Sequence, residues 1–377
     1  MKRILWLLVL CVMLLCCTLP VSASGNSELV GKEEWGEFED SLPDELREDF
    51  LGDGEGLDGY ADSVSDKSSG EVIFSKLFEV VSFELGDALK LFLTVLSMIV
   101  ISALFNTASS SFSDDSLAHA IRFCTSGTIF AVIVYTQYAH FERIESFFDS
   151  LGSLMRAMIP MSASIWAMGG NVSTASVGSA SLFVMLSVCE GLLRNSVIPV
   201  CCVMSVLGLC DAMSDEMKTG RLLAAIKKIY TFFLGIIMTL LLSSLSAQTA
   251  IAAAADTTAS RTARMLSGSM IPVVGGSVGE TLRTVSGGVA YLKNIFGIGG
   301  IIMIFYLLLP VGISVLLARV VFLLSGGIAE ILGCNNEARF LTNLGEIYGS
   351  MLAVISGVCV MFVLALCVFM QTVIAVA

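Results

Sequence analysis

The chain has 377 residues, of which 55% are apolar and 14% are charged. Soluble domains carry about 25% charged residues, and several apolar stretches here approach the roughly 20 residues that cross a bilayer as a helix. This composition predicts an integral membrane protein. The net charge of −12 is local, because residues 24–70 hold 15 acidic and 3 basic residues and the remainder is balanced. The absence of a large basic patch excludes nucleic acid as a partner.

The first 70 residues are predicted to form two segments. Residues 1–23 have the pattern of a signal peptide, with Lys2 and Arg3 ahead of an apolar core and Ala23 at the cleavage position. An uncleaved anchor is the alternative, and either places the following segment outside the cytoplasm. Residues 24–70 are rich in Gly, Ser and acidic residues, so we expect an acidic disordered linker there. Residues 71–377 are predicted to form a polytopic membrane domain.

Within that domain, apolar spans alternate with short polar segments. The predicted spans are residues 91–105, 123–138, 197–210, 230–247, 295–332 and a final C-terminal stretch. The loop around Lys218 and Lys228 has the highest density of basic residues, which predicts a cytoplasmic position. With an exported N-terminus, this gives six spans in three hairpins. If the small-residue stretches at 172–189 and 272–293 also span, the count becomes eight. The expected fold class is an all-α polytopic transmembrane helical bundle of about six to eight spans.

Residues 141–158 are predicted to form an amphipathic helix. Six apolar residues share one face and charged residues occupy the other; the apolar residues are Phe141, Ile144, Phe148, Leu151, Met155 and Met158. Such a helix lies in the membrane interface or packs on a partner helix. Packing on the protein's own bundle is an equally open alternative.

Two stretches of the chain follow the same plan. Met-Ile-Pro ends at Pro160 and again at Pro272, and a second proline follows after 39 and 38 residues. The pattern Arg-x-Leu-x5-Ile-Tyr begins at Arg221 and again at Arg339. These matches predict repeat-like units at about 158–250 and 270–377. If the units are equivalent, Pro160 should superpose on Pro272 and Arg221 on Arg339.

The candidate functional residues are glycines and intramembrane charges. Gly275, Gly276 and Gly279 lie in a small-residue stretch that favours close helix packing, or alternatively the lining of a polar cavity. Arg319 and Glu330 lie within or beside a long apolar run, where ionisable groups are costly and often functional. One continuous helix would place these two residues on the same face. Snorkelling to the interface is the alternative.

Motifs for catalysis and cofactor binding are missing from the sequence. It has two histidines, no His-Glu-x-x-His, no phosphate-binding loop and no dinucleotide fingerprint. Its eleven cysteines include no Cys-x-x-Cys pair, which disfavours a zinc site. We therefore expect neither a cofactor nor a metal, and no enzymatic activity.

The chain resembles the stage III sporulation protein AE family over about residues 71–377. The resemblance rests on the run Ile271-Pro-Val-Val-Gly-Gly276, the pair Glu280-Thr281, and Lys293-Asn294 ahead of Ile295-Phe-Gly-Ile-Gly299. It implies a multi-pass protein in the mother-cell membrane facing the forespore. The implied partners are the other stage III sporulation proteins of the same operon, including secretion-like ring components and an ATPase, and a forespore membrane protein. It supplies no catalytic residue.

Two functions remain open at this stage. The first is a component of a mother cell–forespore channel or secretion-like complex that late forespore gene expression requires. The second is a stand-alone secondary transporter built on internal repeats. In both, membrane lipid surrounds the chain.

Overall fold

A computed structural model describes residues 32–51, 56–109, 115–192, 196–213, 219–270 and 275–371. Within these ranges the side chains at 32–34, 109, 115–123, 189–190, 192, 259–270, 275–285 and 371 are not described. The predicted signal peptide lies outside the described residues. The described helices are α1 (Lys32–Ser41), α2 (Asp44–Leu51), α3 (Gly56–Lys67), α4 (Gly70–Ser109), α5 (Asp115–Met168), α6 (Val172–Leu192), α7 (Ile198–Met213), α8 (Gly220–Met270), α9 (Gly275–Ile331) and α10 (Asn335–Gln371). The predicted all-α class is confirmed.

Several of these helices are longer than a bilayer is thick. At 57 residues, α9 extends about 85 Å at 1.5 Å per residue. Four described segments are long and apolar enough to cross a membrane: Gly70–Ala108, Gly220–Thr258, Ser286–Ile331 and Asn335–Met370. The predicted span at 123–138 lies within α5, and the one at 197–210 forms the 16-residue helix α7. The count of six to eight spans stays a prediction.

Three helical hairpins form the body of the protein. They are α4–α5, α7–α8 and α9–α10, and the tightest packing is between α9 and α10. Two contacts join the second and third hairpins on the side of their turns. Lys227 Nζ on α8 is 2.7 Å from a Glu346 carboxylate oxygen on α10. A Cβ added at Gly208 on α7 would stand 3.3 Å from Asn343 Cβ on α10. The described helix ends beside the α7–α8 and α9–α10 turns therefore lie at the same end of the bundle.

The turn between α9 and α10 closes around a glycine. Gly333 has φ of 77°, a conformation that suits glycine because it has no Cβ. Its N–H donates to the Glu330 carbonyl, and the Cys334 N–H donates to the Ala329 carbonyl at 2.9 Å. These two bonds form a Schellman motif, which satisfies the last carbonyls of α9. Gly170 ends α5 in the same way, with φ of 77°.

The acidic N-terminal segment differs from the predicted disordered linker. Residues 32–51 and 56–67 form the helices α1–α3, here called the N-terminal cap. The cap buries apolar side chains at helical spacing, including Leu46 and Phe50 on α2 and Tyr60 and Val64 on α3. Its acidic residues are mostly on the other faces. The mean composition hides this apolar stripe, and burial against the bundle supplies the energy that an isolated segment lacks.

Aromatic packing holds the cap on α9. Trp35, Phe38 and Tyr60 surround Phe296, with ring centroids 5.3 to 6.3 Å from its own. Tyr60 also lies directly against Gly299, where a Cβ would collide with its hydroxyl. Burial raises the pKa of the Tyr60 phenol. Gly299 lies in the segment that resembles the family, and its missing side chain leaves the space that Tyr60 of the cap fills.

The amphipathic stretch at 141–158 packs on the protein's own bundle. Ile144, Leu151 and Met158 are buried, whereas Glu142 and Asp149 on the other face are exposed. The cap helix α1 and the helix α9 both pack against α5. Of the alternatives left open by the sequence, the structure supports the in-bundle one.

The two repeat-like stretches have different helix boundaries. Pro199 is the second residue of α7, and the first copy divides between α6 and α7. In the second copy, Pro310 lies inside α9, which continues to Ile331. Of the other two prolines, Pro160 lies inside α5 and Pro272 lies outside the described residues. The superposition of the two units stays a prediction.

Candidate functional site

The predicted glycine site lies at the start of α9. Gly275, Gly276 and Gly279 are helical, but their surroundings lie outside the described residues. Whether they pack against another helix therefore stays a prediction.

Arg319 and Glu330 occupy the continuous helix α9, as the same-face hypothesis requires. They are eleven residues apart, about 16 Å along the axis, which is too far for an ion pair. Arg319 is half-buried and Glu330 is exposed. The structure therefore does not bring these two candidate residues together in one site.

Close helix packing occurs instead at glycines of α10. A Cβ added at Gly349 would stand 2.8 Å from Cζ of Arg319, and one at Gly345 would stand 2.9 Å from Cγ of Leu323. The pair Gly345-x-x-x-Gly349 thus lets α10 approach α9 closely and seats the Arg319 guanidinium. The glycine spacing is visible in the sequence, where Gly345 lies within the second Arg-x-Leu-x5-Ile-Tyr segment and Gly349 directly follows it.

Polar side chains from three helices meet where α4, α5 and α9 come together. The residues of this outer junction are Glu84, Asp87, His140, Arg143 and Ser314. Arg143 Nη1 donates to both Glu84 carboxylate oxygens at 3.3 and 3.2 Å and to Ser314 Oγ at 3.4 Å. The Arg143 Nη2 atom lies 3.7 Å from Asp87 Oδ2. The Glu84 side chain is 6% exposed, so Arg143 supplies the charge that a buried carboxylate needs.

The outer junction surrounds a cavity of about 170 Å³. His140 lines it and makes an edge contact with the ring of Tyr348, with centroids 5.8 Å apart. Burial lowers the pKa of His140 from its usual value, and the charge of Arg143 lowers it further, while Asp87 acts in the opposite direction. Neutral imidazole is therefore favoured beside the guanidinium.

A second polar cluster lies near the hairpin tips. Glu337 on α10 is 2% exposed and accepts hydrogen bonds from Ser102 on α4 at 2.7 Å and from Ser126 on α5 at 2.6 Å. Cys334 lies beside it, and the Asn106 amide donates to its sulfur at 3.7 Å. This tip junction joins the first hairpin to the third. Because Glu337 is in the first turn of α10, the positive end of the helix dipole also favours its carboxylate.

An uncharged segment of α4 separates the two junctions. Glu84 and Ser102 are 18 residues apart on the same helix, about 27 Å along its axis. Residues 91–109 of α4 contain no Asp, Glu, Lys or Arg. The spacing is close to the roughly 30 Å thickness of a bilayer's hydrocarbon core.

Two further carboxylates cap helix ends. Asp211 accepts from the backbone N–H of Gly220 at 2.6 Å and so closes the start of α8. Asp256 does the same for α6, since it accepts from the backbone N–H groups of Ser173 and Thr174. Glu190 and Arg194 lie outside the residues whose side chains are described.

The candidate chemistry of these clusters is electrostatic. Among the described residues, no group of three or more His, Cys, Asp or Glu could hold a metal ion. In the sequence, Arg143 belongs to the charged face of the amphipathic helix predicted at 141–158. Glu84 and Arg143 are 59 residues apart, so their pairing has no local sequence signal. One indication is visible in the sequence, because Glu84, Asp87 and Arg143 lie just outside stretches that contain no charged residue.

A family model described as stage III sporulation protein AE matches residues 61–373. The Stage III sporulation protein AE of Bacillus subtilis (strain 168) is 29% identical over 222 residues, which cover 58% of this chain and 55% of that relative. The chain thus matches about half the length of this relative. No solved structure matches the chain. The region matched by the family model begins in α3 and includes both polar junctions, and the chain belongs to the stage III sporulation protein AE family.

Proposed function

We propose that the chain is a non-enzymatic, multi-pass component of a channel or secretion-like complex between the mother cell and the forespore. Family membership supports a role in sporulation. The single structural observation behind the membrane role is the charge distribution along α4, where two polar junctions about 27 Å apart flank a segment that has no charged residue from Leu91 to Ser109. A helix surrounded by water has no need of such a segment.

The bilayer would surround the hairpins between the two junctions. Exposed apolar residues on this part of α4, such as Leu93 and Leu104, would face the acyl chains. Tyr135 and Tyr138 on α5 are 81% and 70% exposed, close to the outer junction. Tyrosine is enriched at membrane–water boundaries, so these two residues support a boundary at that level.

The orientation follows from charge. The basic segment at 218–228, predicted as a loop, is mostly the first turns of α8 and would face the cytoplasm, whereas the acidic N-terminal cap would face the outside. The tip junction would then lie near the cytoplasmic boundary and the outer junction near the opposite one. The cap and the outer halves of α4, α5 and α9 would project into the space between the two cells. There they would meet other stage III sporulation proteins and a forespore membrane partner.

A deletion strain complemented with the tagged chain tests the role. We expect that the deletion abolishes late forespore transcription and that the chain restores it. We also expect the chain to stay in membranes after an alkaline wash and to co-purify with the ring proteins and ATPase of the same operon. Normal late forespore transcription in the deletion strain would overturn the proposal. Flux of a defined solute through liposomes containing only this protein would favour the transporter hypothesis instead.

Cysteine labelling tests the orientation. Single cysteines at Ser65 in the cap and Ser214 in the second hairpin loop are introduced into a cysteine-free background. An impermeant reagent applied to intact cells should label position 65 and leave 214 unlabelled until the membrane is opened. Labelling of position 214 in intact cells would reverse the proposed orientation.

A further inference from the structure

The outer junction contains an open cavity that nothing in the proposed complex uses. Its walls combine the polar residues of the junction with small or apolar residues, namely Ala88, Leu91, Ala139 and Ala318. Its volume of about 170 Å³ holds about five water molecules at liquid density. This is the size of a small polar group and too small for a peptide segment.

The cavity presents both signs of charge. Glu84 and Asp87 contribute two carboxylates, and Arg143 contributes one guanidinium. Asp87 Oδ1 accepts a hydrogen bond from the exposed Lys90 at 2.9 Å, whereas Arg143 Nη2 is 3.7 Å from Asp87 Oδ2, which is longer than a hydrogen bond. Asp87 Oδ2 and Arg143 Nη2 therefore retain capacity for a ligand. Within the described part of the chain, no side chain hydrogen-bonds the ring nitrogens of His140. The lining can therefore accept a cation and donate to an anion at the same time.

The mouth of the cavity lies on the outside of the bundle. The side chains of Arg143 and Asp87 are 46% and 43% exposed, whereas Glu84 and Ser314 on the inner wall are buried. The opening is therefore between α4 and α5. It lies one turn before the uncharged stretch that begins at Leu91, and one turn after the exposed Tyr138. In the proposed bilayer position, this is the level of the lipid headgroups.

We propose that this cavity binds the headgroup of a zwitterionic phospholipid that carries a primary ammonium, such as phosphatidylethanolamine. The ammonium has three donors for the Asp87 and Glu84 carboxylates, and the phosphate accepts from Arg143 and His140. Leu91 and the alanines line the side toward the acyl chains. An anionic headgroup without an amine brings no donor to Asp87 Oδ2, and a trimethylammonium has no N–H to donate. The placement of the mouth at the headgroup level rests on the proposed membrane function. The charge pattern of the cavity lining is independent of it.

Native mass spectrometry of the purified full chain in detergent tests the proposal. The protein is offered phosphatidylethanolamine, phosphatidylglycerol and phosphatidylcholine at equal concentration. We expect about tenfold higher retention of phosphatidylethanolamine, as two charge-assisted contacts predict. The variant Ala88→Leu fills the cavity without changing charge and should remove the preference. Ser97→Leu, an exposed change on the same helix, should leave it intact.

Equal retention of the three lipids, or an unchanged preference in Ala88→Leu, would overturn the proposal. So would binding of free ethanolamine phosphate without retention of the lipid, because the ligand would then be a soluble zwitterion. If Ala88→Leu does not elute as the folded protein, the double variant Glu84→Gln/Arg143→Gln replaces it and should lose the same preference. These measurements use purified protein, so a failure here is distinct from a failure to restore sporulation.

Discussion

The docking of the N-terminal cap depends on a single glycine, and Gly299→Ala should weaken it. A Cβ at this position would collide with the Tyr60 hydroxyl and would stand 2.9 Å from Tyr60 Cζ and 3.0 Å from Val64 Cγ2. The Tyr60 ring is fully buried among Trp35, Phe38 and Phe296, so it has no room to turn away. The added methyl group must push α3 off α9.

The magnitude follows from two opposing effects. Overpacking a well-filled core costs about 1–3 kcal/mol, while replacing glycine by alanine within a helix gains about 1 kcal/mol. Gly287→Ala on the same helix is the matched control, because a Cβ there meets no atom within 4 Å. Gly287→Ala should therefore gain only the helix propensity of alanine, about 1 kcal/mol. The two variants should therefore differ by about 1–3 kcal/mol in the free energy of cap docking.

Hydrogen exchange of the α3 amides measures this free energy, since local opening exposes them to solvent. The expected difference corresponds to about five- to 150-fold faster exchange in Gly299→Ala than in Gly287→Ala. Fluorescence of Trp35 should shift toward that of an exposed indole as the cap leaves Phe296.

A double variant separates this contact from general damage. The Tyr60 hydroxyl has no hydrogen-bond partner among the described residues, so Tyr60→Phe should cost little. It also removes the colliding atom, and Tyr60→Phe/Gly299→Ala should recover about 0.5–3 kcal/mol relative to additivity. Equal α3 exchange in Gly299→Ala and Gly287→Ala, with no recovery in the double variant, would refute the reasoning. The cap would then not be held by this contact.

Three further predictions concern the polar junctions, each measured by thermal unfolding in detergent. Arg143→Ala should cost about 3 kcal/mol because it leaves the buried Glu84 without a counter-charge; equal losses in Arg143→Ala and Glu84→Gln/Arg143→Gln would contradict this. The folded-state pKa of His140 is below its usual value of about 6.5, so the unfolded chain takes up the proton first as pH falls. Stability should therefore fall as pH drops below about 6.5 toward the folded-state pKa. His140→Gln should reduce the slope of stability against pH in this range, and an unchanged slope would contradict the assignment. Glu337→Ala should cost about 2 kcal/mol because two buried hydroxyls lose their acceptor, whereas Glu337→Gln keeps an acceptor; identical melting of these two variants would argue against the tip junction.

Local patterns in the sequence predicted some elements correctly. The 3-4 spacing of apolar residues at 141–158 predicted the buried face of α5, because a helix brings residues three and four apart onto one side. The same rule applied to the acidic segment would have found Leu46 and Phe50 on α2 and Tyr60 and Val64 on α3. The average composition of the segment hides this periodicity, because many carboxylates surround a few large apolar side chains. The cap was therefore predicted to be disordered.

The candidate residues depended on contacts that no local pattern contains. The glycines at 275–279 were selected for their density, whereas Gly349 seats Arg319 and Gly299 admits Tyr60. A glycine matters when another side chain occupies the space of its missing Cβ. The identity of that side chain depends on how distant helices align.

By itself, the sequence determined the helical class, the apolar character of the long helices and the family. The first two follow from composition and from periodicity within about twenty residues, which act wherever the helix lies. The family follows from the resemblance of the motifs between Ile271 and Gly299. Only the tertiary structure decided that Glu84 pairs with Arg143 and that Glu337 joins α4 and α5. It also decided that the acidic segment folds onto α9. Such pairings depend on burial, because a carboxylate needs a partner only after packing has removed it from water.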